Sequence, residues 1–426
     1  MIRALSLTIS TLAMAMVPAG AIAQDQIIRV GNLLTDAASS PSGPATIIVR
    51  DGKIAEIRRG SEPVSDANAT IIDLGTKTVM PGLIDLHVHL TGDPGGDFWK
   101  ETTEPAEWGV VVGAKNALLT AKAGFTTVRE AGSSQYSAFS LRRGTAEGLI
   151  PGPRIIAAGP PLAIIGGHGD VSGFTEDVNE LLSSGYSCTG AVECAAKVRK
   201  ASRAGSDIIK ITATGGVLSQ QGRGLDAQFT SEEMQSIADT AHSLGLKVMA
   251  HAHGARGIEA AARAGIDTIE HGTFADEAAL KVMKANGTAM VPTLMAFHGV
   301  SEGLGKGIYT PVVEEKIRMT MGRVGKAVAM AREMGVPIAF GTDAGVFAHG
   351  RNAEELQLMV DAGLTRREAI ASATTVAAKM LDMDNQIGRI AVGYSADLIA
   401  LDGNPLDDVR KLEQVDWVMV RGRVID

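Results

Sequence analysis

Eight short apolar runs, beginning near Leu83, Thr126, Arg154, Ile208, Val248, Thr268, Ala289 and Ile338, alternate with stretches of helical periodicity. This alternation predicts parallel βαβ units, because parallel strands need a crossover long enough to hold a helix. Eight strands are what a (β/α)8 TIM barrel needs to close, and closure puts every strand C-terminus on one face. The chain has 426 residues, more than the ~250 typical of such a barrel alone, so a smaller second unit is expected. The helical stretches carry start signals of their own. Thr230 followed by Glu233 forms a capping box ahead of a helix over 231–244.

The second unit is found at the two ends. Residues 27–30, 45–49, 53–57 and 70–74 form short alternating runs broken by Gly, Asp, Ser and Pro, the pattern of a small antiparallel sheet, and 397–401 and 417–424 resemble them. Neither end has enough strands to bury a sheet by itself. The α/β reading is therefore a barrel over 81–384 inserted into one small β-sandwich domain built from 24–80 and 385–426. Ahead of it, Arg3, an apolar stretch over 4–17, Pro18, Gly20 and then Ala21-Ile22-Ala23 read as a secretory signal over 1–23. Its apolar core is shorter than the roughly 20 residues of a membrane span. The mature chain is expected to be exported, periplasmic or secreted, and free of the membrane.

Composition excludes some functions. Hydrophobic residues make up 45% and charged residues 21%, which is globular rather than disordered. A net charge of −8 with 4% aromatic residues offers neither a phosphate-tracking groove nor stacking platforms, so nucleic acid is not an expected partner. Cys188 and Cys194 are the only cysteines. In an exported chain they could pair or stay free, and sequence does not decide connectivity. Their spacing does not match a zinc-binding motif.

The chemistry lies at the strand ends. In Asp85-Leu86-His87-Val88-His89 the two histidines are two apart on a strand and share a face, so both imidazoles can aim at one point. Lys210 closes Asp207-Ile208-Ile209-Lys210, His251 and His253 close the run from Val248, His271 closes Thr268-Ile269-Glu270-His271, and Asp343 follows Gly341-Thr342. On one barrel face these residues become neighbours.

Together with the tail from Ala396 to Pro405, the segments Pro81 to His89, Ile208 to Lys210, His251 to Gly254, Ile269 to Gly272 and Gly341 to Asp343 resemble the amidohydrolase superfamily, from about residue 27 to the C-terminus. Within it, a lysine on barrel strand 4 marks the binuclear type, in which the amine is carboxylated by carbon dioxide and bridges two divalent metals. The resemblance implies that His87, His89 and Asp343 hold one metal, His251 and His271 the other, and that Lys210 touches both. The physics agrees, since a buried lysine loses its charge readily and a neutral amine can add carbon dioxide. His251 and His253 share a face, so geometry leaves the choice between them open; the family pattern makes His251 the ligand and turns His253 to the substrate. Nitrogen and oxygen donors suggest zinc first, with manganese or cobalt as alternatives. The metals would lower the pKa of a bridging water and polarise the scissile carbonyl. Asp343 would carry the proton from that water to the leaving nitrogen.

The run Lys210 to Val217, with His251 to Gly254 and Gly166-Gly167-His168-Gly169, looks most like the exported peptidase branch: Xaa-Pro dipeptidases, carboxypeptidase-like enzymes and ochratoxinases. The implied reaction is hydrolysis of the amide between an acyl group and a C-terminal amino acid, in dipeptides or N-acyl amino acids, ochratoxin A among them. Gly216 and Val217 then become substrate contacts. A substrate carboxylate calls for a fixed cation or donor, and Arg223, Arg351 and His168 on mouth loops are candidates. His298 and His349 lie on mouth loops with no assigned role, and His242 reads as structural. A homo-oligomer, up to an octamer, follows by analogy. Competing readings are a lactonase or phosphotriesterase with the same ligands, and an imidazolone-type hydrolase or deaminase, which would lack the bridging lysine. A non-enzymatic scaffold would be expected to have lost ligands, and none is missing.

Overall fold

The structure is a computed structural model that describes residues 25–60, 69–95, 103–134, 136–220 and 224–426. Residues 1–23, expected to be a secretory signal, and Arg223 lie outside the described residues. Strands β5 (Leu83–Val88), β6 (Phe125–Glu130) and β7 (Arg154–Ala157) pair in parallel, as do β10 (Ile209–Thr212), β11 (Val248–Ala252), β12 (Thr268–His271) and β13 (Ala289–Val291). Between the two arcs, β8 (Ala163–Ile164) and β9 (Ser187–Cys188) form a short parallel ribbon.

Both seams between the arcs are closed by backbone hydrogen bonds. At one, Asp207 N donates to Ala157 O at 2.9 Å, and Leu162 N donates to Lys210 O at 2.8 Å. At the other, residues 337–344 lie between β13 and β5. Met290 N donates to Pro337 O at 2.8 Å on one side, and Leu86 N donates to Phe340 O at 3.0 Å and Asp343 N to His87 O at 2.7 Å on the other. This is the eighth strand expected from Ile338, bent rather than regular because Asp343 takes φ 64°. Gly341 is needed at the crossing, where a Cβ would overlap Val291 Cγ1 and press on His87. Phe125 and Phe340 stack in the core beneath, with ring centroids 5.4 Å apart.

The termini build the second unit. Its seven-stranded sheet runs β16 (Arg423–Val424), β15 (Val415–Val420), β14 (Leu398–Leu401), β4 (Thr70–Pro81), β1 (Gln26–Leu33), β2 (Ala45–Arg50), β3 (Lys53–Arg59). The sheet is mixed where an antiparallel one was expected, because β4 takes the free edge of β1 and pairs with it in parallel. The other edge of β4 receives β14, Leu398 opposite Pro81. Ile28, Ile47, Leu398 and Met419 bury in one cluster, so strands from both ends share a core. The path into the barrel is short: Gly82 follows β4, its N–H held by Asp397 O at 2.9 Å, and β5 begins at the next residue.

Cys188 and Cys194 form a disulfide, with Cα atoms 5.1 Å apart, that ties β9 to the helix Ala191–Ala204. The helix Ser231–Ser243 opens with the Thr230/Glu233 capping box read from the sequence.

Candidate active site

The end of β5 sends His87 and His89 to the same side, and Asp343 Oδ1 stands 3.3 Å from Nε2 of each. Lys210, on β10, places Nζ 3.4 Å from His87 Nε2. From β11 and β12, His251 Nδ1 and His271 Nε2 approach to 2.8 Å. His253 stacks on His271 with centroids 4.8 Å apart. Ligand atoms of His251, His253 and His271 lie within 4.8 Å of one another, and so do those of His87, His271 and Asp343. These residues, together with His168, line one cavity of about 370 Å³.

What surrounds each imidazole decides which nitrogen faces inward. His87 Nδ1 meets Glu270 Oε2 at 2.9 Å, His89 Nδ1 meets Gly132 O at 3.0 Å, and His251 Nε2 meets Gly215 O at 3.3 Å. An N–H given to a carboxylate or carbonyl fixes the tautomer, so Nε2 of His87 and of His89 and Nδ1 of His251 keep a lone pair toward the cavity. Burial first, then neighbouring imidazoles, holds His251 and His271 well below the usual histidine range. Burial pulls the Asp343 carboxyl upward, but His87 and His89 override it and keep Asp343 well below the usual carboxylate range. Imidazole nitrogens, a carboxylate and an amine that burial brings down to about 8 make a donor set suited to a pair of divalent cations.

A second layer of buried polar residues, which the sequence reading missed, holds these groups in place. Glu270 accepts from Arg129 Nη2 at 2.8 Å and from Thr268 Oγ1 at 2.5 Å while it orients His87. Asp85 accepts from His87 N, Thr342 N, Thr342 Oγ1 and Asn352 Nδ2 at 2.6–3.1 Å and so ties β5 to the eighth strand. Burial still lifts Asp85 to about 6. Thr293 Oγ1 lies 2.6 Å from His271 Nδ1. Three of these residues have left-handed backbones: His271 at φ 70°, Asp343 at φ 64° and Thr293 at φ 48°. For a β-branched residue that is a genuine outlier, and such strain gathers at functional sites. A signal was available for part of this layer. Parallel barrel strands are covered on both faces, so Arg129 and Glu270 inside apolar runs required buried partners.

The other candidates divide. His168 Nδ1 lies 2.7 Å from Ser219 Oγ, and its ring sits 4.2 Å from that of His251. Val217 lines the cavity, and Gly216 backs directly on the His168 ring, which an added Cβ would overlap. Arg351 is not part of the cavity lining. Its guanidinium is instead committed to Glu302 at 3.0 Å and Glu354 at 2.7 Å, where acids from neighbouring elements hold it outward. His349 is buried between the Thr120 hydroxyl at 3.0 Å and the His89 carbonyl at 3.2 Å, a support for the His89 backbone. His298 is exposed near Glu302, and His242 pairs with Asp267 at 2.9 Å.

Comparison with known proteins gives a consistent picture. The sequence profile of the Amidohydrolase family matches residues 78–425. An ochratoxinase of Aspergillus niger is 32% identical over 417 residues, covering 91% of this chain and 83% of that one. Among solved structures, a Xaa-Pro dipeptidase with methionine bound in its active site superimposes with a TM-score of 0.87 at 37% identity, covering 94% of this chain and 99% of that one. A prolidase complexed with N-methylphosphonate-L-proline superimposes with a TM-score of 0.86 at 31% identity and the same coverage.

Proposed function

The chain belongs to the amidohydrolase family, and from that premise we propose that it hydrolyses the amide joining an acyl group to a C-terminal amino acid. It is a metal-dependent hydrolase of C–N bonds. Dipeptides and N-acyl amino acids are its substrate class, with ochratoxin A an accepted member. The carrying observation is that six side chains of metal-ligating type from five barrel strands meet in a cavity that is also lined by the apolar or aromatic Val217, Leu218, Phe297, Val300 and Tyr309. The likeness to an ochratoxinase and to a Xaa-Pro dipeptidase supports the choice of bond.

In this reading His87, His89 and Asp343 would hold one cation and His251 and His271 the other, with Lys210 contributing a ligand to the same site. Zinc is the first expectation, manganese or cobalt the alternatives. Lys210 Nζ forms an N–C bond to carbon dioxide and releases a proton, giving a carbamate anion. When bound, two divalent cations lower the pKa of water and polarise a carbonyl oxygen. Asp343 accepts the proton of the attacking water at its carboxylate and delivers it to the departing nitrogen. His253, whose Nδ1 is engaged by Thr273 Oγ1 at 2.8 Å, and His168, engaged by Ser219, keep Nε2 for the substrate. Burial pushes both to about 3, so they act as neutral groups.

Export and self-assembly belong to the same proposal. The Cys188–Cys194 disulfide fits an oxidising compartment. Trp108, Val111 and Leu119 stand exposed along the helix Trp108–Lys122, which fits burial against another copy.

Metal analysis and a substrate panel test the function. We expect two metal equivalents per chain, hydrolysis of N-acyl amino acids, loss of turnover on chelation and recovery with added zinc. Full activity in a metal-free sample, or turnover of lactones and phosphotriesters alone, would overturn it.

A further inference from the structure

The loop after β10 forms part of the cavity wall, and a helix from a distant part of the chain grips it. Lys316, in the middle of the helix Pro311–Met321, is 6% exposed. Its Nζ donates to Gly216 O at 2.9 Å and to Ser219 O at 2.5 Å. Just before the same helix, Thr310 Oγ1 donates to Gln220 Oε1 at 2.9 Å. Between these polar ties, Val313 and Ile317 pack in one buried cluster with Val217, Phe297 and Val300. An ammonium offers three donors, and two carbonyls of one short loop take hydrogen bonds from this one. Charge-assisted bonds of this kind are about twice as strong as neutral ones.

What the loop carries gives the grip its meaning. Val217 and Leu218 line the cavity. Ser219 Oγ holds His168 Nδ1, and Gly216 abuts the His168 ring so closely that no side chain fits between them. We propose that Lys316 is a positioning residue for substrate binding: its ammonium fixes the backbone of residues 216–219 and, through Gly216 and Ser219, the placement of the His168 ring. The proposed metal ligands stand on the barrel strands, and of these His251 alone borders the gripped loop, through Gly215 O at 3.3 Å, so loss of the grip should weaken substrate binding more than chemistry. The inference rests on reading the cavity as the substrate pocket.

Two measurements on Lys316→Met, each against wild type, separate the possibilities. Hydrogen exchange at the amides of 216–219 should rise about ten-fold or more, whatever the substrate proves to be, because a charge-assisted anchor is gone. With an N-acyl amino acid that wild type hydrolyses, KM should rise about ten-fold while kcat stays within about three-fold and metal content is unchanged. Lys316→Arg, which keeps the charge, should recover part of the KM. Unchanged exchange in the loop, or kcat and bound metal falling together, would overturn the proposal. If wild type hydrolyses no N-acyl amino acid, the proposed function fails while the exchange measurement still decides the role of Lys316. Should Lys316→Met not fold, Lys316→Gln, which keeps a polar side chain without the charge, is read by the same loop exchange; faster exchange at 216–219 would support the grip, and unchanged exchange would overturn it.

Discussion

Replacing Asp343 by asparagine preserves the volume and the backbone bond from Asp343 N to His87 O but removes the group that can take a proton. If Asp343 carries the proton from water to the leaving nitrogen, Asp343→Asn should lower kcat by about 10² to 10⁴. A steady-state rate close to wild type in a metal-replete variant would remove that role. His87 and His89 could be read from the sequence because a strand repeats every two residues. Lys210, His251, His271 and Asp343 could be read because each closes an apolar run. Arg129 and Asn352 could not be assigned, since their roles depend on partners 141 and 267 residues away in the chain. Arg351 shows the opposite error. A cation on a mouth loop suggested an anion anchor, but the nearby Glu302 and Glu354 are the anions it binds.

Elements with local signals form as local physics directs. Thr230 Oγ1 accepts from Glu233 N at 3.2 Å, and Glu233 Oε2 accepts from Thr230 N at 2.8 Å, so the start of the helix Ser231–Ser243 was legible from a tetrad. Thr230→Ala should cost about 1 kcal/mol of stability, read from the midpoint of urea unfolding at unchanged slope. No shift of the midpoint would mean that packing alone sets that helix end. The eighth strand shows where local reading stops. Its existence was plain from the apolar run at Ile338, but its bend comes from the left-handed Asp343, held by bonds to β5. The β1–β4 pairing was likewise hidden, because alternation of apolar residues specifies a face and not the neighbour across the ladder.

The whole molecule gathers an unusual number of neutral histidines. Burial, chiefly, pushes His168 and His253 to about 3 and His349 to about 4, whereas imidazoles of an unfolded chain titrate near 6.5. The unfolded state therefore binds protons first on acidification. Stability present above about pH 6.5 is lost as pH falls toward 4 and then 3. Asp85, raised to about 6, Glu130, raised to about 7, and Glu355, which burial holds well above the usual carboxylate range, act in the opposite sense, but they are outnumbered once His251 and His271, also held well below the histidine range, are added. The Tm of the chelated protein should fall steadily from pH 7 to pH 4.5, and a flat profile there would contradict the neutral-histidine reading. By itself the sequence determined the barrel, the union of both termini in one β-domain, and the residues at the strand ends, because periodicity, chain length and strand count constrain these without any knowledge of long-range contacts. Only the tertiary structure decided which nitrogen of each imidazole faces the cavity, which buried charges pair behind it, and how Lys316 grips a loop 97 to 100 residues away. Those outcomes depend on hydrogen-bond partners that meet only when the barrel closes, and on burial, which no residue possesses before the chain has folded.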